Sequence, residues 1–151
     1  MVFRNGKLQI MVATILTSAF ATVAHAEIAC PGVAAVKDAV GSLNTVMRQS
    51  EDGRNFFVLG AQAAINESGL DWILVSQTQA NSFDPAFANG QSNVKTVTMP
   101  LSDAPMEMNG VYVCGYLTSS GGMTVMTVAP KKEGTIINPI TLKLDTVKFN
   151  K

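Results

Sequence analysis

Apolar positions along the chain follow three patterns. Residues 10–24 form one continuous apolar stretch of about 15 residues, short of the roughly 20 that a bilayer crossing needs, and no later window is as long. Beyond it, stretches with a helical period alternate with stretches of period two. Val33, Val36 and Val40 recur at helical spacing after Pro31, a residue tolerated in a first turn, and Gly41 is a stop. Residues 43–49 read either as a strand or as a continuation of that helix, closed by the turn-forming Ser50-Glu51-Asp52-Gly53. Residues 55–65 and 71–80 read as strands joined at Asn66-Glu67-Ser68-Gly69, being rich in aromatic and branched side chains. In the second, Trp72 and Leu74 alternate with Ile73 and Val75, so both faces are apolar, which predicts a central strand.

A second helix is predicted over residues 82–97, with Asp84 as N-cap, Pro85 at the first helical position, and Phe87, Gln91, Val94 and Lys95 continuing it. Gly90 and Asn93 lower its intrinsic helicity by about 1 kcal/mol or somewhat more, so tertiary packing must hold it. Residues 98–109, with Pro100 and Pro105, read as a loop. Residues 111–117 and 123–128 then form a hairpin around Ser119-Ser120-Gly121-Gly122. Its alternation puts Tyr112, Cys114 and Tyr116 on one face and Val111, Val113 and Leu117 on the other, with the first helix expected on the tyrosine face. In residues 140–149, Leu142 and Leu144 alternate with Lys143 and Asp145, as in a half-exposed edge strand. The expected fold is α+β: an antiparallel sheet of about five strands with two helices packed on one face.

Flanking residues turn the apolar run into an export signal. Arg4 and Lys7 precede it, and Ala24-His25-Ala26 supplies the small residues for cleavage between Ala26 and Glu27. Residues 1–26 are thus read as a cleaved signal peptide and residues 27–151 as one domain of 125 residues, large enough to fold unaided. Losing Arg4 and Lys7 from 11 basic residues leaves nine against 11 acidic ones, a net charge of −2. Such a balance carries no nucleic-acid footprint. The lysines gathered late in the chain, Lys131, Lys132, Lys143, Lys148 and Lys151, read as a solvated face, with contact to acidic lipid or glycan as the alternative.

Two cysteines in an exported chain imply one bridge, Cys30 to Cys114. Closing a loop of 84 residues is worth about 4.5 kcal/mol in the chain-entropy picture. The competing reading, a lipidated Cys30, meets Glu27 where a lipobox calls for an aliphatic residue.

Cys30-Pro31, the strand led by Trp72, Ala80-Asn81-Ser82-Phe83 at a helix entry, and Gly110-Val-Tyr-Val-Cys-Gly-Tyr116 together resemble a group of small exported proteins of uncharacterised function from Gram-negative bacteria. The resemblance spans roughly residues 30 to 117. It implies export and a single disulfide-bonded domain, and it supplies no activity.

Candidate chemistry is narrowed mainly by what the chain lacks. His25, its single histidine, leaves with the signal, so histidine-based triads lose their base and zinc its commonest ligand. A bridged cysteine offers no thiolate. Glycine-rich phosphate loops and calcium-loop patterns are absent. Glu51-Asp52 and Asp103 with Glu107 are carboxylate pairs able in principle to act as acid and base, but each falls in a polar turn or loop and reads as solvated. A Ser/Lys dyad has no distinctive spacing to support it. Met106, Met108, Met123 and Met126 offer thioethers for Cu(I), against the reading that they fill the core. Phe56, Phe57, Trp72, Tyr112 and Tyr116 likewise fit strand cores better than a ligand groove. Asn66-Glu67-Ser68 matches a glycosylation sequon, relevant only in a eukaryotic secretory route.

The expectation is therefore an exported, monomeric, non-enzymatic binding or interaction protein, periplasmic or secreted. Its partner would be a protein or small ligand, and no cofactor, metal, nucleic acid or transmembrane segment is expected. Three rivals stand. Tyr112-Val113-Cys114-Gly115 resembles the Tyr-x-Cys strand of bacterial lysozyme inhibitors, although it falls late here where theirs falls early. An edge strand such as residues 140–149 would suit a surface-assembly subunit. A hydrolase built on carboxylates alone is the third.

Overall fold

Two Xaa-Gly dipeptides, Ser68-Gly69 and Asn109-Gly110, stand at tight reversals of the chain. A computed structural model describes residues 27–51, 54–132 and 137. Within them, β1 (Thr45–Glu51) pairs antiparallel with β2 (Arg54–Glu67), Glu51 opposite Arg54. Next, β2 pairs with β3 (Leu70–Gln79), Glu67 opposite Leu70. Ser68 and Gly69 both have positive φ, 55° and 71°, as a two-residue turn matching the sheet twist requires. Asn109 and Gly110, at 47° and 81°, make the same turn between β5 (Met106–Met108) and β6 (Val111–Thr118).

Among the described residues the sheet has seven antiparallel strands, β1-β2-β3-β7-β6-β4, where β4 is Val97–Pro100 and β7 is Val125–Pro130. The short β5 pairs with the same side of β6 as β4, nearer the start of β6. Strand β3 is internal, as its two apolar faces predict: Trp72, Ile73, Leu74 and Val75 are all buried.

The α+β class and antiparallel sheet stand as expected, while the strand number is corrected upward from five. Residues 43–49, left between strand and helix, supply most of β1. Residues 98–109, expected as a loop, contain most of β4 and all of β5. Both are too short to show an alternation of their own, and β4 follows the second helix with a single intervening residue. The hairpin also begins later than expected: β7 starts at Val125, because Thr118 N–H and Oγ1 both bond Gly122 O and hold residues 119–124 as a loop. Residues 140–149 lie outside the described residues, as do residues 1–26.

Both helices pack on one face, as expected. Helix α1 (Val33–Asp38) runs into a 3-10 turn (Ala39–Ser42) that contains Gly41, the residue read as its stop. Helix α2 (Phe83–Lys95) starts before the expected Asp84 cap: Ser82 is the N-cap, so Asp84 and Pro85 sit inside the first turn. Proline is tolerated there because amides in the first turn have no intrahelical acceptor.

Val36, Ala39, Ala86 and Val94 from the helical segments join Phe57, Leu59, Trp72, Leu74, Cys114, Tyr116 and Val125 in one buried cluster. The opposite face buries Val58, Ile73, Val75, Val113, Met126 and Val128 together with Ile137. The two residues expected to weaken α2 are the ones that dock it. Gly90 lies against Leu59 and its carbonyl accepts from Ser76 Oγ at 2.9 Å, and Asn93 Nδ2 donates to Gln77 O at 3.0 Å.

The segment before α1 is sewn to distant parts of the sheet. Cys30 is disulfide-bonded to Cys114 across 84 residues, with Cα atoms 5.8 Å apart. Cys30 N–H donates to Asp103 O, Gly32 N–H to Glu67 Oε2, and Tyr116 Oη to Pro31 O. Asp103 lies between β4 and β5, so this edge of the sheet is interrupted, flanked by Pro100 and Pro105, and partly covered.

Candidate functional site

The end of the sheet where β2 begins and β3 ends faces the first two turns of α2 across an open cleft of about 570 Å³. Its lining is Arg54, Asn55, Gln79, Ala80, Asn81, Pro85 and Asn89. The register explains the convergence. Phe56 lies opposite Gln79, so Asn55 and Ala80 fall on the neighbouring rung, while Pro85 and Asn89, four apart, share a helix face. The volume lies within the range of about 300–1,000 Å³ common for small-ligand sites.

Asn55 is the most constrained of these side chains. Its Oδ1 accepts from Arg48 Nε at 3.1 Å, Arg48 Nη2 at 2.8 Å and Ser50 Oγ at 2.9 Å. Three donors on one oxygen settle the orientation of the amide, and the group left to face a ligand is the Nδ2 amine. Arg48 is thereby engaged. Arg54, by contrast, is exposed and has no hydrogen-bond or ion-pair partner among the described residues. At the start of α2, Phe83 is 54% exposed, and its ring meets the buried Phe57 edge-on at 5.2 Å. Phe57 lies two residues from Asn55 along one strand face, and Phe83 opens the helix that carries Pro85 and Asn89.

The residues singled out from sequence fall elsewhere. Asp103 and Glu107 are both exposed, and Glu107 pairs with Lys131 rather than with Asp103. That contact raises the Lys131 ammonium above its ordinary pKa, and the same ammonium lies 6.0 Å from the centre of the Tyr112 ring. The side chains of Glu51 and Asp52 lie outside the described residues, as do Lys143, Lys148 and Lys151; Lys132 is exposed.

Met106, Met108 and Met126 share the cluster on the face opposite the helices, Met126 fully buried. Met123 is separate, in the loop before β7, rather than on a strand with Met126 as expected. Among the described residues no three histidine, cysteine or carboxylate side chains gather as metal ligands.

Phe57, Trp72 and Tyr116 are fully buried on the helical face with Tyr112 packed beside them, whereas Phe56 alternates to the other face. They form core rather than a groove. Trp72 Nε1 donates to Glu67 O at 3.0 Å, and burial pushes the Tyr116 phenol well above its ordinary pKa. In the strand that resembles lysozyme inhibitors, Val113, Cys114 and Gly115 are buried inside β6. The sequon residue Asn66 is exposed and donates to Asp71 Oδ1 at 2.6 Å.

None of the cleft residues was singled out for chemistry from sequence alone. Their signal was compositional: amide side chains, with little charge, at the end of β3 and along α2. No protein-family model matches the chain, and no curated protein or solved structure matches it significantly.

Proposed function

We propose that the chain is a small exported binding protein that holds a polar ligand in the cleft between the β2–β3 end of the sheet and α2, without transforming it. The cleft carries this reading. It is lined by three asparagines, a glutamine and an arginine beside Ala80 and Pro85, residue types that bind and orient, and among the described residues the lining includes no acid, cysteine, serine or threonine to act as base or nucleophile. A hydrolase built on paired carboxylates would need two of them facing a shared space, and Asp103 and Glu107 do not provide that.

Export is supported by the signal-like first 26 residues and by the disulfide, a bond that persists in oxidising compartments. No helix among the described residues is long and apolar enough to cross a membrane. Intact mass of the protein recovered from its native host should begin at Glu27. A full-length cytosolic product, or a lipid on Cys30, would overturn export as drawn here.

The binding role is tested by equilibrating purified protein with a protein-free extract of the host's cell envelope, followed by native mass spectrometry. Wild type should retain a small ligand that Asn89→Trp, which fills the cleft from an exposed helix position, does not. Equal retention by both proteins, or none by either, would count against the cleft as the binding site.

A further inference from the structure

Independently of the cleft, we infer that β5 is a site of oxidative modification: transfer of oxygen from a peroxide to the sulfurs of Met106 and Met108 releases this strand from the edge of the sheet. The step needs no catalytic group. The sulfur lone pair attacks one peroxide oxygen, the O–O bond breaks, and the products are a sulfoxide and, from hydrogen peroxide, water; sulfur gives up the two electrons that the peroxide gains. A flexible apolar side chain thereby becomes a polar one.

The methionines differ in what an oxidant can reach. Met99 and Met47 are exposed, at 54% and 39%, and Met126 is fully buried. Met106 and Met108 fall between these limits. Both are half-buried and both pack on the apolar cluster that contains Val75, Val113, Met126 and Val128, so they are open to a small peroxide and also hold something in place.

What holds β5 keeps the consequence local. The strand has three residues and among the described residues it pairs only with β6, Met106 opposite Val113 and Met108 opposite Val111. Glu107 alternates to the other face, where its ion pair with Lys131 is exposed and of a kind worth little in water. The two thioethers are therefore the apolar part of the attachment. A sulfoxide kept against the same cluster would set a strong acceptor among aliphatic groups that cannot donate to it. The chain is tied on either side, Asp103 O accepting from Cys30 N–H and Gly110 O from Lys131 N–H, so the part that leaves is residues 104–109.

The test exposes the native protein to hydrogen peroxide, locates added oxygen by peptide mass mapping and follows amide exchange on the same samples. Met47 and Met99 should be oxidised first, with exchange unchanged. Oxidation of Met106 and Met108 should follow and accelerate exchange in β5 and at β6 residues 111–113 by about tenfold or more, the scale of one polar group left without a partner, while α2 keeps its protection. Met126 should remain a thioether until the protein unfolds. Leucine preserves size and apolarity, so the Met106→Leu, Met108→Leu pair should keep β5 in place under the same peroxide, and the Met47→Leu, Met99→Leu pair should leave the release intact. Met106→Gln with Met108→Gln should produce the release with no oxidant present.

Sulfoxides at residues 106 and 108 with unchanged exchange would overturn the release. So would equal acceleration in the Met106→Leu, Met108→Leu protein. Oxidation of Met126 as fast as Met106 and Met108 in folded protein, or none at residues 106 and 108 before unfolding, would overturn the site. Should the leucine pair fail to fold, the order of oxidation and exchange in wild type still decides.

Discussion

A Cβ placed on Gly90 would stand 2.5 Å from Leu59 Cδ2 and 2.7 Å from Leu59 Cδ1, closer than real carbon atoms approach. Leu59 is fully buried and has little room to retreat. Gly90→Ala therefore sets about 1 kcal/mol of gained helix propensity against an overpacking cost of about 1–3 kcal/mol, and a net loss of stability is expected. In a Leu59→Ala background, itself costing about 2–5 kcal/mol, the same change should turn stabilising because the clash is gone. Urea denaturation of the four proteins measures this coupling. Simple additivity would mean that α2 and β2 do not meet as described. Gly41→Ala, with open space at its Cβ, is the control.

Loss of the Cys30–Cys114 bridge in Cys114→Ala should lower stability by about 2–5 kcal/mol. Thiol titration of the native protein should find no reactive group. Two titratable thiols, or a denaturation midpoint that reductant does not move, would refute this.

Tyr116 links stability to alkaline pH. Its phenol is fully buried, donates to Pro31 O at 2.8 Å, and has a folded-state pKa raised by burial, opposed by its contact with Thr127. The folded state thus keeps a proton that the unfolded chain releases near pH 10, so the stabilisation is complete below pH 10 and falls as pH rises further. The slope contributed by this one group approaches about 1.4 kcal/mol per pH unit. Tyr116→Phe should lose about 1–3 kcal/mol at neutral pH, through the orphaned Pro31 carbonyl, and should show a shallower decline above pH 10. Identical alkaline profiles for the two proteins would disprove the linkage.

Gly110→Ala forces an alanine to φ near 81° and should cost about 1–2 kcal/mol. The damage should be local. Amide exchange at Met106 and Met108 should accelerate, while α2 keeps its protection. Unchanged exchange in β5 would show that the turn does not hold that strand.

What could be read from sequence divides according to how much chain each feature occupies. The internal position of β3 followed from apolar groups on both faces, the hairpin of β6 and β7 from long alternation, and the bridge from cysteine count. Strand β5 escaped because three residues carry no periodicity, although Asn109-Gly110 beside Met106-Glu107-Met108 is the dipeptide that two-residue hairpins favour. The start of α2 was misplaced because Pro85 suits any position of a first turn, and Ser82 makes no side-chain cap bond to distinguish itself. The cleft was invisible for another reason. Arg54, Asn55, Gln79, Asn81 and Asn89 have no motif spacing, and they converge through strand register and helix docking alone.

Residues 30–32, beside the start of the domain, find their partners at Glu67, Asp103, Cys114 and Tyr116. A ribosome adding about 5–20 residues per second needs roughly 4 to 17 s to travel the 84 residues from Cys30 to Cys114. Throughout that interval the leading end of the domain is unsecured. The bridge therefore closes only after most of the sheet has been made.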